Sequence, residues 1–306
     1  MRKLIFLVGF YATILSHGQC FTTGADLSYV NQIQANGGEY RDAHGIEIDP
    51  YTYFADRGAN MIRLRLFHSP ETILDSCGEP ITASSLTDVL DAAAQVKALG
   101  MALNLSIHYS DYFADPGKQL QPQAWNGLTQ SEVIDALETY TINVINALHD
   151  QNTLPDIISV GNETTFGFID STTETNGFSW PEDAEKFNTA LNAIDAFNTM
   201  HGTSIKKALH FTESTAQFTA ELFSDQGITN YDMIGLSYYP FFSPQIDLQE
   251  LGVLIDDLIN TYDKEVMIFE TGFAWTTDFD DDYGNFISGN GDVLTYPTSA
   301  QVNWII

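Results

Sequence analysis

Two glutamates of this 306-residue chain stand at the ends of two apolar runs. Residues 156–162 lead to Glu163, and residues 265–269 lead to Glu270. Charged side chains are mostly exposed, so a buried strand that ends in a carboxylate is unusual unless that carboxylate faces a site. Two such strand ends predict a facing pair of carboxyl groups, the arrangement that cleaves glycosidic bonds. The alternative is that each glutamate is a solvated charge at a strand end.

Short apolar runs alternate with longer stretches of helical periodicity along the whole chain. Apolar residues recur at helical spacing over 85–99 and 131–148, and Gly100 follows the first stretch where a helix is expected to stop. The strand candidates are residues 23–28, 60–67, 101–108, 156–163, 207–212, 232–239 and 265–271. Seven strand-helix units favour a (β/α)₈ TIM barrel over a doubly wound sheet. The last residues read as the helix after the seventh strand, so we expect a barrel truncated before its eighth strand.

Polar residues follow several of these strands at their carboxyl ends, namely His108 and Asp111, then Asn162 and Glu163, then Tyr238, then Glu270. In a barrel the βα loops gather at that end, where active sites lie. Arg63 and Arg65 share one face of the second strand. A buried arginine is costly unless it is paired, so these positions require a carboxylate nearby.

Composition restricts the partners of the chain. Asp and Glu number 41 against 12 Lys and Arg, a formal net charge of −29. Such a surface repels nucleic acid and anionic lipid, whereas a neutral polymer is not repelled. Neither a Cys pair nor a His pair at zinc-ligand spacing is present. We therefore expect no nucleic acid as a partner, and no membrane unless Cys20 is lipidated.

The first 18 residues resemble an export signal. Positive charge at the start is followed by an apolar stretch too short to span a bilayer, with small residues before a cut at position 19. We therefore expect residues 1–18 to be a signal peptide, residues 19–306 to be one catalytic domain, and the protein to be secreted, periplasmic or at the cell surface. Cys20 and Cys77 could pair there, Cys20 could be lipidated, or both could be free thiols.

Seven short motifs, in this order and spacing, resemble glycoside hydrolase family 53, the arabinogalactan endo-β-1,4-galactanases of clan A. They are GADLS (24–28), NMIRLR (60–65), HYSDYFADPG (108–117), PQAW (122–125), VGNE (160–163), GLSYYP (235–240) and FET (269–271). Two features depart from the family pattern. Phe113 stands where the family usually has Trp, and the last strand, with its Trp-Glu-Pro motif, is absent.

The resemblance implies retaining endo-hydrolysis of β-1,4-galactan in type I arabinogalactan or pectic galactan by a monomer. Glu163 would be the acid/base and Glu270 the nucleophile. Arg63 would keep Glu270 ionised, Asn162 would bind the sugar 2-hydroxyl, and Tyr238 would donate to the nucleophile, although Tyr239 could exchange roles with it. The alternatives are another clan A glycanase, such as a mannanase, xylanase or cellulase, and a non-hydrolytic galactan-binding fragment.

Other residues are expected to support the site. His108 either faces the cleft or is a satisfied core histidine, and Asp111 is expected to support the cleft rather than a triad, because neighbours on one loop do not reach triad geometry. Trp125 and Trp275 are candidate sugar platforms, with core burial as the alternative for Trp275. Catalysis requires no cofactor. Structural calcium is the one metal considered, at Asp278, Asp280 and Asp282, with a solvated loop as the alternative.

Overall fold

The computed structural model describes residues 21–75, 77–171, 177–240, 242–243 and 246–272. A parallel sheet of seven strands in the order β1-β4-β5-β6-β7-β8-β9 forms its centre. These strands are β1 Gly24–Asp26, β4 Met61–Leu66, β5 Ala102–Ile107, β6 Ile157–Val160, β7 Lys206–Thr212, β8 Met233–Ser237 and β9 Glu265–Glu270. All seven predicted strands are therefore confirmed.

Helices connect the strands, as a (β/α)₈ architecture requires. They are α1 Val30–Ala35, α2 Pro50–Asp56, α3 Leu86–Ala98, α4 Gln130–Asp150, α5 Glu182–His201, α6 Ala216–Asp225 and α7 Leu248–Tyr262. Ser85 caps the start of α3, where its side chain accepts a hydrogen bond from the amide of Asp88. Gly100 has φ +73° directly after this helix, and the predicted helix stop is confirmed.

A small antiparallel hairpin between α1 and α2 was not predicted from the sequence. Its strands, β2 Tyr40–Arg41 and β3 Glu47–Ile48, pair with each other and not with the central sheet. Each contains two residues, which is too short for the alternation of apolar and polar positions that identifies a strand.

The two faces of each central strand have different chemistry. Outward positions are aliphatic, such as Ile62 and Leu64 on β4, and pack with the helices in one buried core. The inward positions Arg63, Asn104, Ser159 and His210 are polar yet buried. A smaller apolar cluster fills the lower interior, formed by Ile157, Ala208, Met233 and Phe269. The inward face of the sheet therefore carries a buried polar site, and the apolar cluster lies beneath it.

Several sequence expectations concern parts of the chain that lie outside the described residues. These are the signal peptide at residues 1–18, Cys20, and everything from residue 273 onward. The expected absence of an eighth strand belongs to that last segment. Cys77 is exposed. In the part of the chain that the structure describes, none of the helices is long and apolar enough to cross a membrane.

Candidate active site

Arg63 occupies the centre of the polar interior and is only 4 % exposed. Its Nη1 lies 2.8 Å from Asp26 Oδ2. Its Nη2 lies 2.9 Å from Glu270 Oε1 and donates to Asn162 Oδ1 at 2.6 Å. A carboxylate was expected near Arg63, and the structure places two there, those of Asp26 and Glu270. One guanidinium joins β1, β4, β9 and the turn after β6.

Arg63, Arg65, Asp26 and Glu270 form a cluster of ion pairs in which the charges balance. Arg65 Nε lies 3.2 Å from Asp26 Oδ2, so Asp26 is shared between two arginines. Two cations, Arg63 and Arg65, thus stand against two anions, Asp26 and Glu270. Charges are tolerated in an interior when they are paired in this way. The Arg65 guanidinium also lies 5.3 Å from the ring centre of Phe113.

A β-bulge turns Glu270 towards the interior. Leu236 of β8 pairs with Ile268, but the next residue, Ser237, pairs with Glu270, so β9 carries Phe269 as an extra residue. With regular alternation, Glu270 would share the face of Ile268, which packs against the outer core. The extra residue lets Phe269 fill the floor and Glu270 face Arg63. Bulges commonly re-aim a side chain beside an active site.

The surroundings of Glu270 favour its ionised form. Burial by itself raises the pKa of a carboxyl group, but the Arg63 guanidinium opposes that effect here. With Arg65 and a hydrogen bond from the Tyr239 hydroxyl acting in the same direction, the pKa of Glu270 falls to about 2. Glu270 is therefore a carboxylate at neutral pH, and one of its oxygens contacts Arg63 and the other Tyr239.

Glu163 is held on a strained turn after β6. Gly161 has φ +81° and Glu163 has φ +47°, a left-handed conformation that costs about 1–3 kcal/mol for a residue with a side chain. A Cβ on Gly161 would lie 2.4 Å from Thr164 Cγ2, so this position requires glycine. The Gln119 amide donates to the Asn162 carbonyl at 2.8 Å and so holds the turn. Such strain is typical of functional sites.

The surroundings of Glu163 favour its protonated form. Burial and the nearby Glu270 carboxylate raise the pKa of Glu163 to about 7. No ion pair joins Glu163 to a cation among the residues described here. The two glutamates therefore interact with each other yet have pKa values far apart, which is how a general acid is distinguished from an ionised carboxylate.

The structure corrects the prediction for Tyr238. Its hydroxyl donates to the Ile246 carbonyl at 2.7 Å, whereas the Tyr239 hydroxyl lies 2.9 Å from Glu270 Oε2. Side chains alternate along β8, so Ser237 and Tyr239 face the interior while Tyr238 faces outward. The exchange of roles between the two tyrosines, left open by the sequence, is resolved in favour of Tyr239.

Asn162 and His108 both lie inside the polar interior. Asn162 Nδ2 donates to the Ala114 carbonyl at 2.9 Å, and this bond identifies Oδ1 as the atom facing Arg63. His108 is 2 % exposed, and its Nδ1 accepts from the Ala114 amide at 3.0 Å. His108 Nε2 is buried without a hydrogen-bond partner among the described residues. Burial holds the pKa of His108 well below its ordinary value, so the ring is neutral and Nε2 carries its proton.

Asp111 supports two loops of the cleft. Its carboxylate oxygens accept from the amides of Ser69, at 3.1 Å, and Gln123, at 2.7 Å. Both oxygens are thus engaged by backbone, which fixes the loops after β4 and β5 relative to each other. The expectation of a supporting residue agrees with these contacts.

The prediction of Trp125 as a sugar platform is wrong in this structure. Trp125 is 4 % exposed and lies edge-on to the rings of His68 and Tyr140, at centroid distances of 5.3 and 6.4 Å. The indole follows the 3₁₀ turn Gln123–Trp125 and packs against Tyr140 of α4, so it is buried rather than exposed as a platform. Trp275 and the calcium candidates Asp278, Asp280 and Asp282 lie outside the described residues.

Sequence reasoning assigned no role to three members of the site, namely Asp26, His210 and Ser237. Asp26 could have been predicted, because it lies on a strand next to the one that carries the two arginines Arg63 and Arg65, which require carboxylates. His210 also stands at an inward position, between apolar neighbours of β7. Ser237 had no such signal, since a serine in a strand is common and its contacts depend on the bulge in β9.

Asp26, Arg63, Arg65, Tyr239 and Glu270 line a cavity of about 230 Å³. The cavity opens between β1 and β9, the two ends of the strand order among the described residues. In this same part of the chain, no cluster of three or more His, Cys, Asp or Glu side chains could hold a metal ion.

Known proteins resemble this chain over most of its length. A family model described as glycosyl hydrolase family 53 matches residues 22–305. The arabinogalactan endo-beta-1,4-galactanase of Cellvibrio japonicus is 36% identical over 285 residues, which cover 92% of this chain and 73% of that protein. The endo-beta-1,4-galactanase of Bacillus subtilis is 32% identical over 287 residues, which cover 92% of this chain and 63% of that protein. The chain therefore spans less than two thirds of the Bacillus protein.

A solved structure agrees with these sequence matches. The GH53 catalytic domain of Ignisphaera aggregans superposes with a TM-score of 0.78 at 30% sequence identity. The superposition covers 90% of this chain and 74% of that domain.

Proposed function

Since the chain belongs to glycosyl hydrolase family 53, we propose that this glycoside hydrolase cleaves β-1,4-galactosidic linkages within type I arabinogalactan and pectic galactan. Family membership confirms the resemblance seen in the sequence and the (β/α)₈ class of the fold. The names of the Cellvibrio and Bacillus relatives support galactan as the substrate. One observation supports the chemistry, namely two interacting carboxyl groups, of which Glu270 contacts Arg63 and Tyr239 whereas Glu163 has no ion pair among the described residues.

The proposed route has two displacement steps. In the first, protonated Glu163 gives its proton to the glycosidic oxygen while the Glu270 carboxylate attacks the anomeric carbon, so that the C–O bond to the leaving sugar breaks and an ester forms. In the second, Glu163, now a carboxylate, takes a proton from water, which attacks the same carbon and releases Glu270. Two inversions give retention. The route uses water and the two carboxyl groups and requires no cofactor.

The neighbours of Glu270 match the charge changes of this route. Arg63 and Tyr239 each contact one carboxylate oxygen, which keeps Glu270 ionised and leaves its orientation fixed before attack. When the ester forms, Glu270 loses its charge, and Asp26 remains as the partner of Arg63. The arginine is therefore never left as an unpaired buried charge.

Two donors of the polar interior are suited to sugar hydroxyls. Asn162 Nδ2 uses one N–H on the Ala114 carbonyl and has a second, which we assign to the sugar 2-hydroxyl. The proton on His108 Nε2, which meets no acceptor among the described residues, is assigned to another hydroxyl of the same ring. Contacts to the 2-hydroxyl strengthen in the transition state, so the Asn162 contact contributes to turnover more than to ground-state binding.

We also propose, from the sequence pattern alone, that residues 1–18 direct export and that the enzyme acts as a monomer outside the cytoplasm. The strongly negative surface does not repel a neutral galactan. Intact-mass analysis of the exported protein tests the cleavage site, and a retained Met1 would contradict this proposal.

Substrate choice and stereochemistry are tested together. Purified protein is incubated with potato galactan, mannan, xylan and cellulose, and reducing ends are measured. We expect release from galactan alone, with internal cuts that shorten the chain early in the reaction. NMR of the first-formed product should show the β-anomer. Preferential release from another polymer would change the substrate assignment, and a first-formed α-anomer would exclude the two-step route.

A further inference from the structure

Gln119 is a buried glutamine in the loop after β5 that has no part in the route described above. Its Nε2 lies 2.8 Å from the carbonyl oxygen of Asn162 and 3.3 Å from that of Glu163, and it also donates to the Asp115 carbonyl at 2.9 Å. Carbonyl oxygens only accept, so the amide nitrogen must be the atom that faces them. One side chain therefore contacts the backbone of the turn that carries the proposed acid.

The backbone of Gln119 holds the other end of the same loop. Residues 163–170 start at the turn and return to Gln119, where the Asp170 amide donates to the Gln119 carbonyl at 2.6 Å. The Gln121 amide donates in turn to the Asp170 carbonyl at 2.8 Å, so that Leu120 and Asp170 form a short parallel pairing. Gln119 thus ties the first end of the loop through its side chain and the last end through its main chain.

A buried lysine of α5 anchors the last end of this loop. Lys186 Nζ donates to the carbonyls of Phe168 and Ile169 at 2.9 and 3.0 Å, and lies 2.8 Å from Asp183 Oδ1. These three contacts use the three hydrogens of the ammonium group, and Asp183 pairs its buried charge. The loop end that pairs with Gln119 is therefore attached to a helix, which keeps Gln119 itself in place.

Glu163 depends on this support more than its neighbour Asn162 does. The Asn162 side chain has contacts of its own, because Oδ1 lies 2.6 Å from Arg63 Nη2 and 3.1 Å from His210 Nδ1, and Nδ2 donates to the Ala114 carbonyl. Glu163 has no ion pair among the described residues, and its backbone has φ +47°. A strained conformation persists only where the surroundings enforce it. Loss of the Gln119 amide should therefore displace Glu163 first.

We propose that Gln119 is a positioning residue for the general acid, which fixes the turn after β6 so that the Glu163 carboxyl group reaches the glycosidic oxygen. The proposal rests on the assignment of Glu163 as acid/base in the proposed function. Proton transfer requires hydrogen-bond reach between the acid and the leaving oxygen, and a displacement of about 1 Å can reduce the rate about 10²-fold. The attack of Glu270 on the anomeric carbon does not depend on this turn.

The measurement is the ratio of kcat/KM on galactan to kcat/KM on an aryl galactobioside whose acidic phenol leaves without a proton. Both constants come from one preparation, so the ratio does not depend on the fraction of protein that is folded. Gln119→Met keeps a similar volume but removes the donor. We expect its kcat/KM to fall about 10- to 100-fold on galactan and to stay within about threefold on the aryl substrate.

Gln121→Met is the matched control, because Gln121 is a buried glutamine of the same segment whose side chain does not contact the turn. Its Nε2 lies 3.3 Å from the Trp125 carbonyl oxygen and 3.1 Å from Asn126 Oδ1. The ratio should keep its wild-type value in this variant. Gln119→Glu is a second test with nearly the shape of the native side chain. Its carboxylate has no hydrogen to donate, so the ratio should fall there as well.

Glu163→Ala supplies the reference that separates this proposal from the proposed function. A low ratio in Glu163→Ala and in both Gln119 variants, but not in Gln121→Met, is the expected result. A low ratio in Glu163→Ala with an unchanged ratio in the Gln119 variants would overturn the positioning role alone. An equal fall in Gln121→Met would also overturn it, since any loosening of the segment would then suffice. An unchanged ratio in Glu163→Ala would overturn the acid assignment itself.

Discussion

The turn that carries Glu163 and the bulge that carries Glu270 bring two glutamate side chains into interaction by different means. Glu270 contacts Arg63 and Tyr239, at 2.9 Å each, on a strand paired to β8. Glu163 has a strained backbone with φ +47° and no ion pair among the described residues. Two similarly buried carboxyl groups thus acquire different charge states, one neutral and one negative, because the charge that surrounds each group, rather than its burial alone, sets its pKa.

The largest expected effect is the loss of the nucleophile. Glu270→Ala should reduce hydrolysis at least about 10⁴-fold on galactan and on activated aryl galactobiosides alike, because no leaving group replaces an attacking carboxylate. Glu163→Ala should lose about 10²–10⁴-fold on galactan and far less in the first step on the aryl substrate, whose leaving group needs no proton. Steady-state and burst kinetics on both substrates measure this difference. Identical responses of the two variants would remove the distinction between the two glutamates.

Replacement of Arg63 should change the charge state of Glu270 more than that of Glu163, because Arg63 is paired with Glu270. Arg63→Met leaves Asp26 and Glu270 without their shared partner, and breaking a buried pair costs about 3–5 kcal/mol of folding stability. The Glu270 pKa should rise, so the acidic limb of kcat/KM should move to higher pH. Denaturant unfolding and a pH profile measure the two effects. A variant with unchanged stability and acidic limb would show that Arg63 does not hold Glu270 ionised.

The two tyrosines after β8 provide a matched pair of substitutions. Tyr239→Phe removes one hydrogen bond to the Glu270 carboxylate and should reduce kcat roughly 10- to 100-fold, the range for a bond to a charged group. Tyr238→Phe removes a bond to a backbone carbonyl outside the cavity, so kcat should change only a few-fold. Similar losses in both variants would contradict the correction made above for Tyr238.

The smallest expected effect is on stability, where the two glutamates should act with opposite signs. Depression of the Glu270 pKa contributes stability that is present above about pH 4.5 and is lost as pH falls towards about 2. The raised Glu163 pKa contributes stability that is present below about pH 4.5 and is lost as pH rises through about 7. Glu163→Gln should therefore melt like wild type at pH 4 and at a higher temperature at pH 8. A constant difference across this range would contradict the sign.

The residues that could be predicted from sequence are those whose type conflicts with their place in a strand. Glu163, Glu270 and Arg63 are costly in an apolar run, so their presence indicated a site before any contact was known. Tyr238 and Tyr239 could not be separated, because which of two neighbours faces inward depends on the exact end of β8.

The other differences between prediction and structure arise from contacts between elements, which cannot be read from the sequence of either element alone. The bulge at Phe269 depends on pairing between β8 and β9, and the burial of Trp125 depends on the direction of a short turn against α4. Both are tertiary effects. The seven strands, by contrast, follow from local periodicity and were predicted within a few residues of their ends.

Direct identification of the attacking carboxylate tests the division of roles between Glu163 and Glu270. A galactobiosyl fluoride with fluorine in place of the 2-hydroxyl reacts slowly in both steps, but its leaving group needs no proton, so the glycosyl ester should accumulate. The intact mass should then increase by one fluorinated disaccharide, and peptide mapping should place the label on Glu270. A label on Glu163, or turnover without any covalent adduct and with inversion of the anomeric centre, would contradict the assignment.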